Sequence, residues 1–214
     1  MRACFSADCS RSRHVSALLK FVSTMMLAGL LATLLLSVNA RADSSSDEDL
    51  PRVRVTTSEG AFEIQLRPDY APRTVENFLQ YVDEGFYDGT IFHRVIDAFM
   101  IQGGGFDQDM RQKTTREPVV NESRQTAPNL RGSIAMARTA NPDSATAQFF
   151  INVTDNRHLN AAANRPGYTV FGKVTEGMGV IDAIAQVRTG VRNNMGDVPL
   201  QPVVIESVRR IGEP

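Results

Sequence analysis

The sequence predicts a mainly β domain: a single antiparallel barrel or sandwich of about eight strands with helices at its ends. Three observations carry this. Short segments that alternate apolar and polar residues, or are dense in β-branched and aromatic ones, recur from residue 52 to residue 211. They follow one another without regular βαβ alternation, which disfavours a parallel sheet. Only two stretches, one opening at Pro72 and one at Gly177, place apolar residues at helical spacing.

Residues 52–57 alternate Val53 and Val55 with polar neighbours, and residues 61–66 do the same with Phe62, Ile64 and Leu66. With Ser58-Glu59-Gly60 between them they form a hairpin with one buried face. Pro72 suits the first turn of a helix, where its missing N–H costs nothing, and Gly85 ends that helix after Val75, Phe78, Leu79 and Val82. Residues 91–106, IFHRVIDAFMIQGGGF, give two strands joined tightly at Asp97-Ala98. Alternation puts Phe92, Arg94 and Ile96 on one face of the first strand, with His93 turned away. It separates Phe99 and Ile101 from Met100 and Gln102 in the second. The three glycines 103–105 read as a flexible strand end, since no Lys-Ser/Thr of a phosphate loop follows. Residues 107–132 are a long polar loop, a length that is usually functional. Strands follow at 133–138, 147–153 and 168–174, then a helix over 177–187, a loop at 188–198 and a last strand over 201–211.

The N-terminus is of another kind. Arg2, Arg11, Arg13 and Lys20 precede an uncharged run of 18 residues, 21–38, which ends in Ala40-Arg41-Ala42. This is the pattern of a secretory signal peptide over residues 1–42, with an uncleaved membrane anchor as the alternative. Residues 43–50 read as an acidic flexible spacer and 51–214 as the folded domain. Both cysteines, Cys4 and Cys9, lie in the leader, so the remaining 172 residues offer no disulfide, thiolate nucleophile or zinc–thiolate site. The leader holds five of the 23 Lys+Arg and one of the 24 Asp+Glu, which leaves a net charge of −5 on the rest. Such a chain does not seek nucleic acid or anionic membranes by charge. No H-E-x-x-H spacing and no G-x-S-x-G serine occur.

What remains is Arg94, a cation inside an apolar run. It is either an edge-strand arginine reaching to water or the polar wall, with Gln102, of an apolar pocket for a small group.

The stretch FHRVIDAFMIQGG (92–104) closely resembles the signature of cyclophilin-type peptidyl-prolyl cis–trans isomerases. GSIAMAR (132–138), AQFFIN (147–152) and VFGKVTEGM (170–178) continue the resemblance in the family's order. It spans residues 52–211 and implies a closed eight-stranded antiparallel barrel capped by two α-helices, acting on proline-containing polypeptides. The leader makes the chain most similar to periplasmic members of Gram-negative bacteria. The resemblance places the catalytic arginine on Arg94 and a proline pocket on Phe99, Met100, Phe150 and Leu159. It puts polar positions on His93 and Gln102, and a peptide groove on Ala137, Arg138, Thr139 and Gln148. Two positions depart from the best-known eukaryotic members: His158 stands where they carry the tryptophan of the cyclosporin-binding surface, and Tyr168 where they carry histidine. No cofactor or metal is implied, and a monomer is expected. A binding module that grips proline peptides with little turnover is the competing expectation.

Overall fold

The computed structural model describes residues 50–212. The leader and residues 43–49 of the spacer lie outside the described residues. The hairpin forms as expected from β1 (Arg52–Thr57) and β2 (Gly60–Leu66). Val53, Val55, Phe62 and Ile64 point into the core. On the outer face Arg52 and Arg54 both reach Glu63, at 2.9 and 2.6 Å.

Helix α1 (Pro72–Asp83) buries Val75, Phe78, Leu79 and Val82. Its first turn is served from far away in sequence. Glu122, in the long loop, accepts hydrogen bonds from the Arg73 and Thr74 backbone N–H groups and from the Thr74 hydroxyl. A carboxylate at a helix N-terminus satisfies free N–H groups and meets the positive end of the helix dipole.

Strands β3 (Thr90–Ile96), β4 (Met100–Asp107), β5 (Ser133–Met136), β6 (Phe149–Asn152), β7 (Val170–Glu176) and β10 (Ile205–Ile211) complete an eight-stranded antiparallel sheet. Its order is β10-β1-β2-β7-β5-β6-β4-β3. The two ends meet through Gly89 N–H to the Ile205 carbonyl at 2.8 Å and Phe92 N–H to the Val203 carbonyl at 3.0 Å, with an Ile91–Val204 bridge. The sheet is therefore a closed barrel. Phe78 of α1 packs on Tyr87, Phe149 and Phe171 at 5.2–5.9 Å, and α2 (Met178–Ala185) buries Ile181, Ile184 and Ala185.

Three expectations are corrected. The stretch 188–198 is not simply a loop. It holds most of a two-stranded ribbon, β8 (Thr189–Arg192) and β9 (Met195–Pro199), turned by Asn193 and Asn194 at φ of 51° and 61°. Most of the ribbon is exposed, so it lacks the apolar alternation that marks a strand. The triple glycine lies inside β4, not at a flexible end. A Cβ on Gly104 would meet Phe149 at 2.8 Å and one on Gly105 would meet Gln148 at 2.4 Å, so the bare backbone is what lets these side chains close in. Phe92 and Arg94 do not share a face, because the register shifts between them: Phe92 enters the core while Arg94 turns outward.

Candidate active site

The site is one row of residues across the outside of the barrel. Arg94 on β3 stands opposite Gln102 on β4, Gln102 opposite Phe150 on β6, Phe150 opposite Ala135 on β5, and Ala135 opposite Val170 on β7. Paired residues of neighbouring strands share a face, so these side chains form one continuous floor. Met100, Ala135, Phe150 and Val170 pack as a cluster separate from the main core, with Phe99, Leu159 and Tyr168 closing over it.

The result is a cavity of about 130 Å³ lined by Arg94, Phe99, Met100, Gln102, Ala137, Arg138, Phe150, Leu159 and Tyr168. It is smaller than a pocket for a drug-sized ligand and suits a single side chain. Beside it lies a second cavity of about 200 Å³. Gln102, Ala137 and Arg138 line both, and Thr139, Gln148, Gln112, Ser144 and Thr146 line the second alone. The two form one groove divided by the Gln102 amide, whose Nε2 donates to Gln148 Oε1 at 3.0 Å.

The two arginines of the groove differ. Arg138 is bound up locally: it donates to the Thr139, Pro166 and Gly167 carbonyls and lies 4.5 Å over the Tyr168 ring. Tyr168 meets Phe150 edge-on at 5.5 Å, so Arg138 buttresses the apolar wall. The Arg94 guanidinium makes no hydrogen bond among the described residues. Its polar contact is Asp197 of β9, 3.7 Å from Nε. No Asp or Glu lines either cavity, so a carboxylate pair for general acid–base work is lacking there.

Eleven of the residues singled out by sequence thus come together in the groove, and two stand apart. His93 is behind the wall, 1% exposed, with its ring 4.6 Å from Phe106. Among the described residues Nδ1 has no hydrogen-bond partner, while the ring also meets the Ile91 backbone and the Gln148 side chain, so the buried structural histidine expected from the sequence is only partly satisfied. Burial pushes its pKa down to about 4; a hydrogen bond with the Ile91 backbone opposes this, the Arg94 charge adds a smaller push downward, and Gln148 opposes least. The ring is therefore neutral at neutral pH and adds no second cation beside Arg94. His158, in a 3-10 turn over Arg157–Leu159, is exposed and stacks on Phe99 at 5.6 Å.

Sequence reasoning missed two contributors. Asn156 donates to the Phe99 carbonyl at 2.9 Å and is itself buried, beside Asn152 and Asn129. This asparagine cluster ties the Phe99 turn to the segment that carries Leu159. Its only signal was asparagine within or beside apolar strands. Asp197 carried no signal, because nothing in the local pattern brings the ribbon to β3.

Residues 52–210 match the family described as cyclophilin type peptidyl-prolyl cis-trans isomerase/CLD. The chain is 56% identical over 163 residues to a peptidyl-prolyl cis-trans isomerase of Streptomyces antibioticus, covering 75% of this chain and 98% of the relative. It is 54% identical over 155 residues to peptidyl-prolyl cis-trans isomerase B of Escherichia coli, covering 71% and 94%. Among solved structures it resembles a cyclophilin type isomerase of Cryptosporidium parvum at a TM-score of 0.64 and 24% identity, covering 77% of this chain and 99% of the other. A second structure of that protein, in the presence of the dipeptide Ala-Pro, matches at 0.63 and 24%, covering 76% and 99%.

Proposed function

This chain belongs to the cyclophilin-type peptidyl-prolyl cis–trans isomerases, and from that premise we propose that it rotates X–Pro bonds of exported polypeptides with Arg94 as the electrostatic catalyst. The observation that carries the reading is a guanidinium with no hydrogen bond among the described residues, at a small cavity walled by Phe99, Met100, Phe150 and Leu159.

Rotation of an X–Pro bond takes tens to hundreds of seconds unaided, over a barrier of roughly 18–20 kcal/mol. In the twisted state amide resonance is lost and the prolyl nitrogen gains a free lone pair. A cation that reaches that nitrogen, or the prolyl carbonyl, binds the twisted state better than either planar isomer, and such differential binding lowers the barrier. Phe99, Met100, Phe150 and Leu159 seat the proline ring and exclude water, which strengthens the arginine's field. The neighbouring compartment, with Thr139 and Gln148, takes the backbone on the far side. Arginine suits the role because it keeps its charge and offers unbonded N–H donors. Four decades of acceleration need about 5.5 kcal/mol, within reach of one charged contact and a fixed ring.

The test is a protease-coupled assay on a prolyl peptide. Arg94→Ala should fold normally and lose at least ~10²-fold in kcat/KM; a folded variant with near-normal turnover overturns the mechanism. Export rests on the leader pattern. Mass spectrometry of a periplasmic fraction should find Asp43 at the N-terminus, and intact leader in the membrane fraction would favour the anchor instead.

A further inference from the structure

We propose that Asp197 is a positioning residue for Arg94, holding the guanidinium by its Nε edge so that both terminal nitrogens stay available to the peptide. The proposal rests on the reading of Arg94 as the catalyst.

Asp197 Oδ2 lies 3.7 Å from Arg94 Nε, and among the described residues no other carboxylate pairs with that guanidinium. An arginine with no hydrogen bond has many rotamers open to it, and ordering it during catalysis costs free energy. A carboxylate at the Nε edge narrows that ensemble without occupying the donors that face the cavity.

The backbone around Asp197 is built to deliver it. Its φ is 60°, in the left-handed region where glycine is the ordinary choice and where Asp is tolerated better than bulkier residues. The next residue, Val198, is 2% exposed and clusters with Ile91, on the strand that carries Arg94. β9 as a whole lies along β3. The ribbon is thus pinned to the catalytic strand on one side of Asp197 while its carboxylate projects to Arg94. Both side chains are nearly half exposed, 41% and 48%, so the pair is a modest orienting contact.

The experiment compares Asp197→Asn, which removes the charge and keeps the shape, with Asp197→Gly, which also relieves the left-handed φ. Both should fold. Each should lose about three- to fivefold in kcat at unchanged KM, the upper range for an exposed pair. Raising salt should lower kcat of the unmodified enzyme more than that of either variant, because an exposed pair is screened. In an Arg94→Gln background, Asp197→Asn should cost nothing further. Full kcat in both Asp197 variants while Arg94→Ala is inactive would overturn the positioning role and leave the arginine mechanism standing. An undiminished loss from Asp197→Asn in the Arg94→Gln background would also overturn it. An active Arg94→Ala would instead strike at the mechanism itself.

Discussion

The same four strands carry two parallel rows of side chains, one on each face of the barrel wall. The inner row, Val95, Ile101, Ile151 and Ile134, runs across β3, β4, β6 and β5 in matched register, and each residue is at most 2% exposed. One residue along, the outer row is Arg94, Gln102, Phe150 and Ala135. The inner row fills space between helices and the opposite wall and carries no chemistry. The outer row would face water in an ordinary barrel. Here the segments at 99, 137–139 and 159–168 fold back over it and make a dry floor with a polar edge. Burial on the inside stabilises the barrel; burial on the outside builds the groove.

That difference is measurable at two adjacent phenylalanines. Phe149 is fully buried and meets Phe78, Tyr87 and Phe92 at 5.6–6.2 Å. Phe149→Ala should lose about 3–5 kcal/mol of stability, the range for a core aromatic, with folded protein keeping its kcat/KM. Phe150→Ala removes a cavity wall instead. It should lose less stability than Phe149→Ala but about tenfold in kcat/KM, by misplacing the proline ring. Equal destabilisation with full activity in Phe150→Ala would erase the distinction between the rows.

His93 sharpens the comparison, since it is a titratable group lodged behind the outer wall. Its folded pKa of about 4 lies below the ordinary value near 6.5, so the unfolded chain binds the proton first. Stability is therefore full above about 6.5 and falls as the pH drops towards 4, by about 3 kcal/mol in total. Thermal melts across that window should show the loss for the unmodified protein and a flatter slope for His93→Gln. Identical slopes would mean that other groups govern acid unfolding.

The smallest effect belongs to the rim. His158 stacks on Phe99 but lines neither cavity, so turnover should hardly notice it. Replacing it by tryptophan adds a wide apolar face and one N–H donor. We expect His158→Trp to tighten cyclosporin inhibition about tenfold with kcat/KM unchanged. An inhibitor titration of both proteins in one isomerase assay decides it, and no gain would show that this edge does not touch the inhibitor.

Much of this was written in local pattern. The hairpin and both helices followed from period-2 and period-3.6 spacing, because those periods reflect single elements with one buried face, and the antiparallel pairing followed from strands succeeding one another without βαβ alternation. The groove residues were named through the resemblance of the motifs to the family, and the local pattern agrees with them. SIAMA and AQFFIN are nearly continuous apolar runs, not alternating ones, as strands buried on both faces require. The strand register also depended on more than alternation. A shift of register between Phe92 and Arg94 sent one inward and the other outward, and a bulge arises from pairing with β4, which no single strand encodes.

What the sequence determined by itself was the eight barrel strands and the two helices, the apolar content of the wall, and the residue types with which a proline site could be made. Tertiary structure alone decided which of them meet. Asp197 reaches Arg94 from a ribbon whose own pattern is polar, Glu122 caps a helix 48 residues upstream, and Asn156 holds the Phe99 turn across 57 residues. Each is a polar side chain that meets a partner distant in the chain. Apolar burial leaves a period in the sequence because it recurs along one element, whereas a long-range hydrogen bond or ion pair joins two single residues and leaves none.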